Sequence, residues 1–279
     1  MPDDDDDLVK PELTPEEHRE VEQRSALRVH VVHEAIRREG EEELRRPTSA
    51  LAWSGLAAGL SMGFSLIGEG LLRAYLPDAA WRPLVSKLGY TLGFVVVILA
   101  RQQLFTENTL TGIIPLLARR KLSVFANVMR LWGVVLAANL AGAVAVAWVM
   151  GNTEVFDAEI RRAFAELGRE AVRNAFWTAL LRGIFAGWLI ALMVWMLPVA
   201  HLSRLATIVL VTYIVGLGRF PHIVAGSVEV LYLVTTGQFG PGAYLAGYVV
   251  PVLIGNIVGG VALVSVLNHA QVVSGGGDR

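Results

Sequence analysis

Six long apolar stretches dominate the chain, with short polar segments between them. They cover residues 49–72, 85–118, 122–150, 176–198, 202–236 and 242–268. About 20 apolar residues in helical conformation cross the hydrocarbon core of a bilayer. The pattern therefore predicts an all-α membrane protein with six transmembrane helices.

The second and fifth stretches are interrupted by polar residues. The interruptions read RQQLFTENT (101–109) and GRFPHIVAG (218–226). Pro221 lacks a backbone donor and clashes with the preceding turn, so a helix must open there. Irregular backbone at membrane depth is tolerated only where it is buried in protein or lines a water-filled cavity. We therefore predict that the second and fifth helices are broken.

The two halves of the chain show the same order of features. In each half a span is followed by a broken span, and then by a span with Asn-x-x-Gly, at Asn139 and Asn256. Asn139 follows Thr106 by 33 residues, and Asn256 follows His222 by 34. Three spans per half reverse the orientation of the second half. The pattern predicts an inverted 3+3 repeat, whose binding site lies where the broken helices meet.

The two ends of the chain are polar. Residues 1–47 are expected to form a cytosolic segment, acidic and disordered to about residue 15 and then amphipathic-helical. Residues 48–270 form the predicted channel domain, and 271–279 a flexible tail. The first residues are acidic where a signal peptide is basic, so we expect the first span to be retained as a helix.

The composition agrees with a membrane protein. The chain is 54% hydrophobic and 18% charged, whereas soluble domains average about 25% charged residues. A net charge of −1 argues against a nucleic-acid partner, and the absence of cysteine excludes disulfides and thiolate metal sites. We expect no metal and no cofactor. Gly55, Gly59 and Gly63 recur at every fourth position and predict close helix packing.

Basic residues give the expected orientation. Four arginines lie between residues 37 and 46, and ARRK (118–121) joins the second span to the third. Because lysine and arginine concentrate in cytoplasmic loops, we expect both termini in the cytoplasm. Three basic residues between 73 and 87 argue the other way.

Ionisable residues within the apolar spans are candidate functional residues. Each costs at least about 2.5–3.5 kcal/mol to insert, so a role or a partner is the default expectation. His222 lies in a predicted break, and an ordinary histidine pKa near 6.5 allows it to change charge at physiological pH. Arg101 lies a few residues before the Leu-Phe-Thr of the first interruption, and Arg219 precedes His222 by three residues in the second. We hypothesise that they pair with Glu107 and Glu229, either to hold the breaks together or to line a pore vestibule.

At both breaks the sequence resembles the formate/nitrite transporter family, and the likeness covers about residues 47–270. LFTENT (104–109) stands where the family has Leu-Phe-Thr, a small residue, Asn and Thr. RFPHIVAG (219–226) stands where it has an aromatic residue before a lone histidine. Residues 182–195 and 251–260 resemble its fourth and sixth helices. The chain looks still more similar to a branch of bacterial inner-membrane members that share RQQLFTENT.

The resemblance implies an aquaporin-like bundle that assembles as a homo-pentamer in the lipid bilayer of the inner membrane, with one pore per protomer. Thr106 and His222 correspond to a central hydrogen-bonded pair between two apolar constrictions. Further pore residues follow from the motif positions: Leu104, Phe105, Asn108, Phe220, Tyr90 and Val215.

Several positions depart from the family pattern. Gln103 replaces a usual Glu, and Glu107 replaces a usual Gly or Ser. Pro221 and Gly226 replace a Glu and an Asn around the histidine. In the fourth span, Gly187 replaces a usual Asn. Before that span, Ala171 replaces a usual Lys, and Arg169 and Arg173 lie close to it in the sequence.

The predicted function is transport of a small monovalent anion, such as formate or nitrite, with proton transfer. Half-helix N-termini at Asn108 and near Ser227 add partial positive charge where the anion waits. Two alternatives stay open: a non-conducting or regulatory protein of the same fold, and a channel for water or glycerol. Such channels carry paired Asn-Pro-Ala motifs, which this sequence lacks. An enzyme is not expected, because no nucleophile–base set is present.

Overall fold

A computed structural model describes residues 14–16, 28–200 and 202–275. The described residues are helical, without a strand. The helices are α1 Val29–Arg45, α2 Thr48–Tyr75, α3 Arg82–Leu99, α4 Asn108–Thr111, α5 Ile113–Arg119, α6 Leu122–Asn152, α7 Ala158–Ala171, α8 Phe176–Met196, α9 Arg204–Leu217, α10 Ala225–Thr235 and α11 Pro241–Ser274. Two stretches of α11, Leu245–Val249 and Gly259–Val266, are π-helical.

Within the described ranges, five helices are long and apolar enough to cross a membrane: α2, α3, α6, α8 and α11. The helices α9 and α10 are apolar but shorter. The polar segment between the halves contains α7, whose apolar face packs on α10, with the Phe164 and Tyr232 rings 5.6 Å apart.

The two ends of the chain compare differently with the prediction. The expected disordered segment, 1–15, lies outside the described residues except for residues 14 and 15. The amphipathic segment forms α1. The tail expected from residue 271 is helical as far as Gly275, and residues 276–279 lie outside the described part.

Two stretches of non-helical backbone interrupt the apolar segments where the sequence places them. Residues 100–107 separate α3 from α4, and residues 218–224 separate α9 from α10. The second residue of each is an arginine in the left-handed region, Arg101 at φ 53° and Arg219 at φ 50°. The N–H of the next residue donates to the carbonyl five positions earlier, at 2.9 and 3.1 Å. This is the Schellman turn, which closes helix C-termini.

Asn139 of α6 holds the first break in place. Its Oδ1 accepts the N–H of Phe105 at 3.0 Å, and its Nδ2 donates to the carbonyls of Gln103 at 2.9 Å and Gly55 at 2.8 Å. The side chain is fully buried. One amide thus satisfies the backbone on both sides of Leu104.

Asn256 of α11 does the same for the second break. It accepts the N–H of Ile223 at 2.9 Å and donates to the carbonyls of Pro221 at 3.0 Å and Gly183 at 2.9 Å. The two breaks therefore depend on equivalent sets of hydrogen bonds, each from the last long helix of its half, α6 or α11.

Glycine lets the helices approach closely enough for these bonds. A Cβ on Gly59 would lie 2.1 Å from the carbonyl oxygen of Asn139, and one on Gly187 would lie 2.2 Å from that of Asn256. Neither position has room for a side chain. The small residues therefore set the spacing between α2 and α6 in the first half and between α8 and α11 in the second.

The helix α1 lies against one end of the bundle. Its Glu39 pairs with Arg101 at 3.0 Å, and its Glu41 with Arg119 at 2.7 Å. The buried His33 lies with its Nε2 3.0 Å from Nδ1 of His269. These contacts join α1 to the first break and to the end of α11.

We expect Asn139→Ala to destabilise the protein by about 2–5 kcal/mol, because each buried backbone group left without a partner costs about 1–3 kcal/mol. Thermal unfolding of the detergent-solubilised protein measures this. Asn127→Ala, an exposed change on the same helix, is the control. Equal midpoints for the two variants would contradict this account of the break.

Acidification should loosen α1. Burial, followed by repulsion from His269, lowers the pKa of His33. The packed state therefore disfavours the protonated ring, so its stability is full above the ordinary pKa of about 6.5 and falls as pH drops below it. Hydrogen exchange of the α1 amides, corrected for intrinsic rates, should show this loss. The acid-dependent loss of protection should vanish in His33→Gln and persist in the exposed control His30→Gln. If protection of the α1 amides in the wild type does not change with pH, the prediction is wrong.

Candidate functional site

The two breaks meet at a histidine and a threonine. Thr106 Oγ1 of the first break lies 2.7 Å from His222 Nε2 of the second. Thr106 is 1% exposed and His222 is 0% exposed. The two residues are 116 positions apart in the sequence, so this short hydrogen bond links the two halves of the chain.

The backbone around His222 decides which ring nitrogen carries the proton. Its Nδ1 lies 3.3 Å from the N–H of Val224 and 3.2 Å from that of Ala225, both at the start of α10. Two donors at Nδ1 make it an acceptor, so the ring proton is on Nε2 and is donated to Thr106. The histidine is a neutral cap on α10, and the Thr106 hydroxyl keeps its own hydrogen for another acceptor.

Aromatic side chains fix the ring in this orientation. Phe94 packs edge-to-face on His222 with centroids 4.9 Å apart, and Tyr90 lies 5.4 Å from Phe94. The Tyr248 hydroxyl donates to the His222 carbonyl at 3.2 Å. The ring is therefore held by packing as well as by hydrogen bonds.

One cavity reaches His222 from the side of α7, and we call it the α7-side cavity. Its volume is about 250 Å³. Three residues assigned to the pore by sequence, Tyr90, Val215 and Phe220, line it. Four cationic and two carboxylate side chains line it as well, which gives it an excess of positive charge: Lys87, Arg173, Arg182, Arg219, Glu170 and Glu229.

A second cavity opens beside α1, and we call it the α1-side cavity. Its volume is about 330 Å³. Gln103 and Glu107 of the first break line it. Burial raises the pKa of Glu43, which also lines it. Its charged side chains have a slight excess of carboxylates: Glu39, Glu43, Glu107, Arg101 and Arg204.

Leu104 and Phe105 belong to neither cavity. They are 0% and 1% exposed, and the Phe105 ring packs 5.7 Å from that of Trp132. Asn108 faces the protein, where its Nδ2 donates to Gln103 Oε1 at 3.0 Å. The first break therefore contributes buried apolar side chains at Leu104 and Phe105, next in sequence to Gln103, which lines the α1-side cavity.

The expected ion pairs of the breaks do not form among the described residues. Arg101, whose side chain is 72% exposed, pairs with Glu39 of α1, and Arg219 pairs with Glu170 of α7 at 3.4 Å. The hypothesis from the sequence was wrong because it looked for the partners of the two arginines only at Glu107 and Glu229, in or near the breaks. The left-handed turn instead directs each arginine outward to an amphipathic helix.

Lys87 is a site residue that the sequence did not reveal. Its Nζ lies 2.5 Å from Glu69 and 5.7 Å from the centre of the Tyr90 ring. Glu69 is 1% exposed. A lone glutamate in the first apolar span was a signal that a cation must lie nearby. Which cation pairs with Glu69 follows only from the packing of α2 on α3.

No group of three or more His, Asp or Glu side chains suited to a metal ion occurs in the described part of the chain.

We expect Gly226→Ala to disturb the site, because a Cβ there would lie 1.7 Å from the Tyr248 hydroxyl that holds the His222 carbonyl. The unfolding temperature of the solubilised protein should fall. Gly133→Ala, where a Cβ meets nothing within 4 Å, is the control and should be neutral or stabilising. If Gly226→Ala unfolds at the same temperature as that control, the packing around Tyr248 does not constrain the site.

The chain is similar to several known membrane proteins. It is 42% identical over 251 residues to inner membrane protein YfdC of Escherichia coli K12, covering 90% of this chain and 81% of that protein. It is 24% identical over 244 residues to formate channel BtFdhC of Bacillus thuringiensis, covering 84% of this chain and 91% of that protein.

Solved structures show the same fold. A pentameric formate channel with formate bound matches with a TM-score of 0.67 and 20% identity, over 85% of this chain and 99% of that one. An FNT family ion channel matches with a TM-score of 0.71 and 20% identity, over 87% and 98%. The model of the formate/nitrite transporter family matches residues 30–270. This chain, a multi-pass membrane protein, therefore belongs to the formate/nitrite transporter family.

Proposed function

We propose that the protein carries a small monovalent anion, with formate as the first candidate, across the bacterial inner membrane. The observation that carries the proposal is the 2.7 Å bond between Thr106 and His222 at the end of a cationic cavity. Family membership and the similar formate channels support this substrate class. The similar E. coli inner membrane protein supports the location.

The architecture we propose has six crossings, arranged as an inverted 3+3 repeat in a homo-pentamer. The equivalent hydrogen bonds of Asn139 and Asn256 support the repeat, and the similar pentameric formate channel supports the assembly. The arginines before α2 favour cytoplasmic termini. With that orientation, the α1-side cavity opens to the cytoplasm and the α7-side cavity to the other side.

The α7-side cavity gathers the anion. Its excess of cations raises the local anion concentration. The Thr106 hydroxyl then donates to the anion, and it is a better donor because the Nε2–H of His222 is donated to its oxygen. The neutral ring orients the hydroxyl and stabilises the anion without being ionised.

We also propose that the anion crosses the apolar part of the pore as its neutral acid. Moving an unpaired carboxylate into apolar surroundings costs far more than moving its protonated form. Leu104 and Phe105 supply no polar side chain to a passing solute. Transport of a weak acid through this segment is therefore linked to a proton.

We expect Thr106→Val to lower formate uptake into proteoliposomes by about ten- to hundredfold, because a hydrogen bond to a charged group contributes about 1.5–3 kcal/mol. His222→Asn should lose a similar amount, since it removes the group that orients the hydroxyl. Thr153→Val, a change at a half-buried position outside the site, should transport at the wild-type rate. Stopped-flow and radiolabel uptake provide the rates.

The same assay separates the alternatives. A wild type that passes water but no formate is a neutral-solute channel, and one that passes neither is a non-conducting relative. Wild-type uptake by His222→Asn and Thr106→Val would show that the anion takes another path.

A further inference from the structure

Glu107 is a carboxyl of the first break for which the described residues supply no ion-pair partner. It directly follows Thr106 and lines the α1-side cavity. Its Oε1 is buried without a hydrogen-bond partner, and the described residues form no ion pair with it. A carboxyl oxygen that is buried without a hydrogen-bond partner is costly to keep, so it needs a reason beyond packing.

The other charged groups of this cavity lie around it. Two carboxylates come from α1, where Glu39 pairs with Arg101 and Glu43 pairs with Arg46, each at 3.0 Å. Arg204 of α9 lines the cavity without an ion pair to Glu107. Glu107 is thus the carboxyl of this cavity that no described cation holds.

The histidine is poorly suited to supply or accept the transported proton. Its Nδ1 already accepts two backbone N–H groups, so protonation there would break both bonds. Loss of the Nε2 proton would leave an imidazolate. Glu107 has no such constraint, because its carboxyl can bind or release a proton without breaking a hydrogen bond at Oε1.

We propose that Glu107 is the proton-exchanging residue of the transport cycle. This inference rests on the proposed function. In the inward direction, an anion at Thr106 takes a proton from a hydronium ion in the α7-side cavity, whose O–H bond breaks to leave water, and the neutral acid passes Leu104 and Phe105. Its O–H bond then breaks, the electron pair stays on the anion, and the proton forms an O–H bond on Glu107.

The cycle closes in the α1-side cavity. Glu107 passes its proton to water there, and the carboxylates of Glu39 and Glu43 repel the anion toward the exit. One proton accompanies each anion, so no net charge moves. Every step also runs in reverse, and the gradients of proton and anion set the direction.

The test measures formate and protons together. Purified protein in liposomes is given a formate gradient at one acidic and one alkaline pH, and radiolabelled formate and a trapped pH dye are followed. In the wild type, proton uptake should accompany formate, and flux should rise at acidic pH. In Glu107→Gln, proton-coupled flux should fall at least about tenfold and its pH dependence should vanish.

Two variants complete the design. Glu107→Asp keeps an ionisable carboxyl and should restore coupling, whereas Glu42→Gln, exposed on α1, should behave as the wild type. Glu107→Ala replaces the glutamine variant if that protein does not purify as a single species. The amide is expected to fold, because it has the shape of the protonated acid.

The outcomes are distinct. A wild type without formate flux overturns the proposed function itself. Formate flux with unchanged coupling in Glu107→Gln overturns only the role of Glu107. Failure of Glu107→Asp to restore coupling also overturns it, because ionisation would then not be the property that matters.

Discussion

The constraint on which this structure depends is that open backbone at membrane depth needs hydrogen-bond partners from the protein itself. Helices α3 and α9 both end in the apolar region, and each exposes peptide groups there. Asn139 and Asn256 satisfy those groups from the next helix in each half. Glycines at 59 and 187 allow the approach. Without these contacts there would be no stable breaks, and the polar residues of the breaks would have no fixed positions.

The breaks in turn determine the chemistry of the site. The second break brings Nδ1 of His222 onto the first N–H groups of α10, and this makes the ring a neutral, oriented donor to Thr106. The same imidazole on a continuous helix would have no such restriction. Its location explains why a residue that ordinarily changes charge near neutral pH serves here as a fixed dipole.

The two cavities differ in charge. Cations prevail in the α7-side cavity and carboxylates in the α1-side cavity, and Leu104 and Phe105 line neither of them. Both amphipathic helices contribute: Glu170 of α7 and Glu39 of α1 each hold one of the left-handed arginines. The helices outside the apolar bundle therefore shape the electrostatics of both mouths.

The sequence by itself determined the apolar spans, both breaks and the residues that meet in them, because span length, proline and polar interruptions act locally along the chain. It did not determine α7, because a helix with a charged face and no long apolar run is defined by what it packs on. Nor did it determine the partners of Arg101, Arg219 and Lys87, since an ion pair depends on where two distant helices bring their side chains. Only the tertiary structure decided the tautomer of His222 and left Glu107 unpaired, because both follow from which backbone and side-chain groups share one small buried volume.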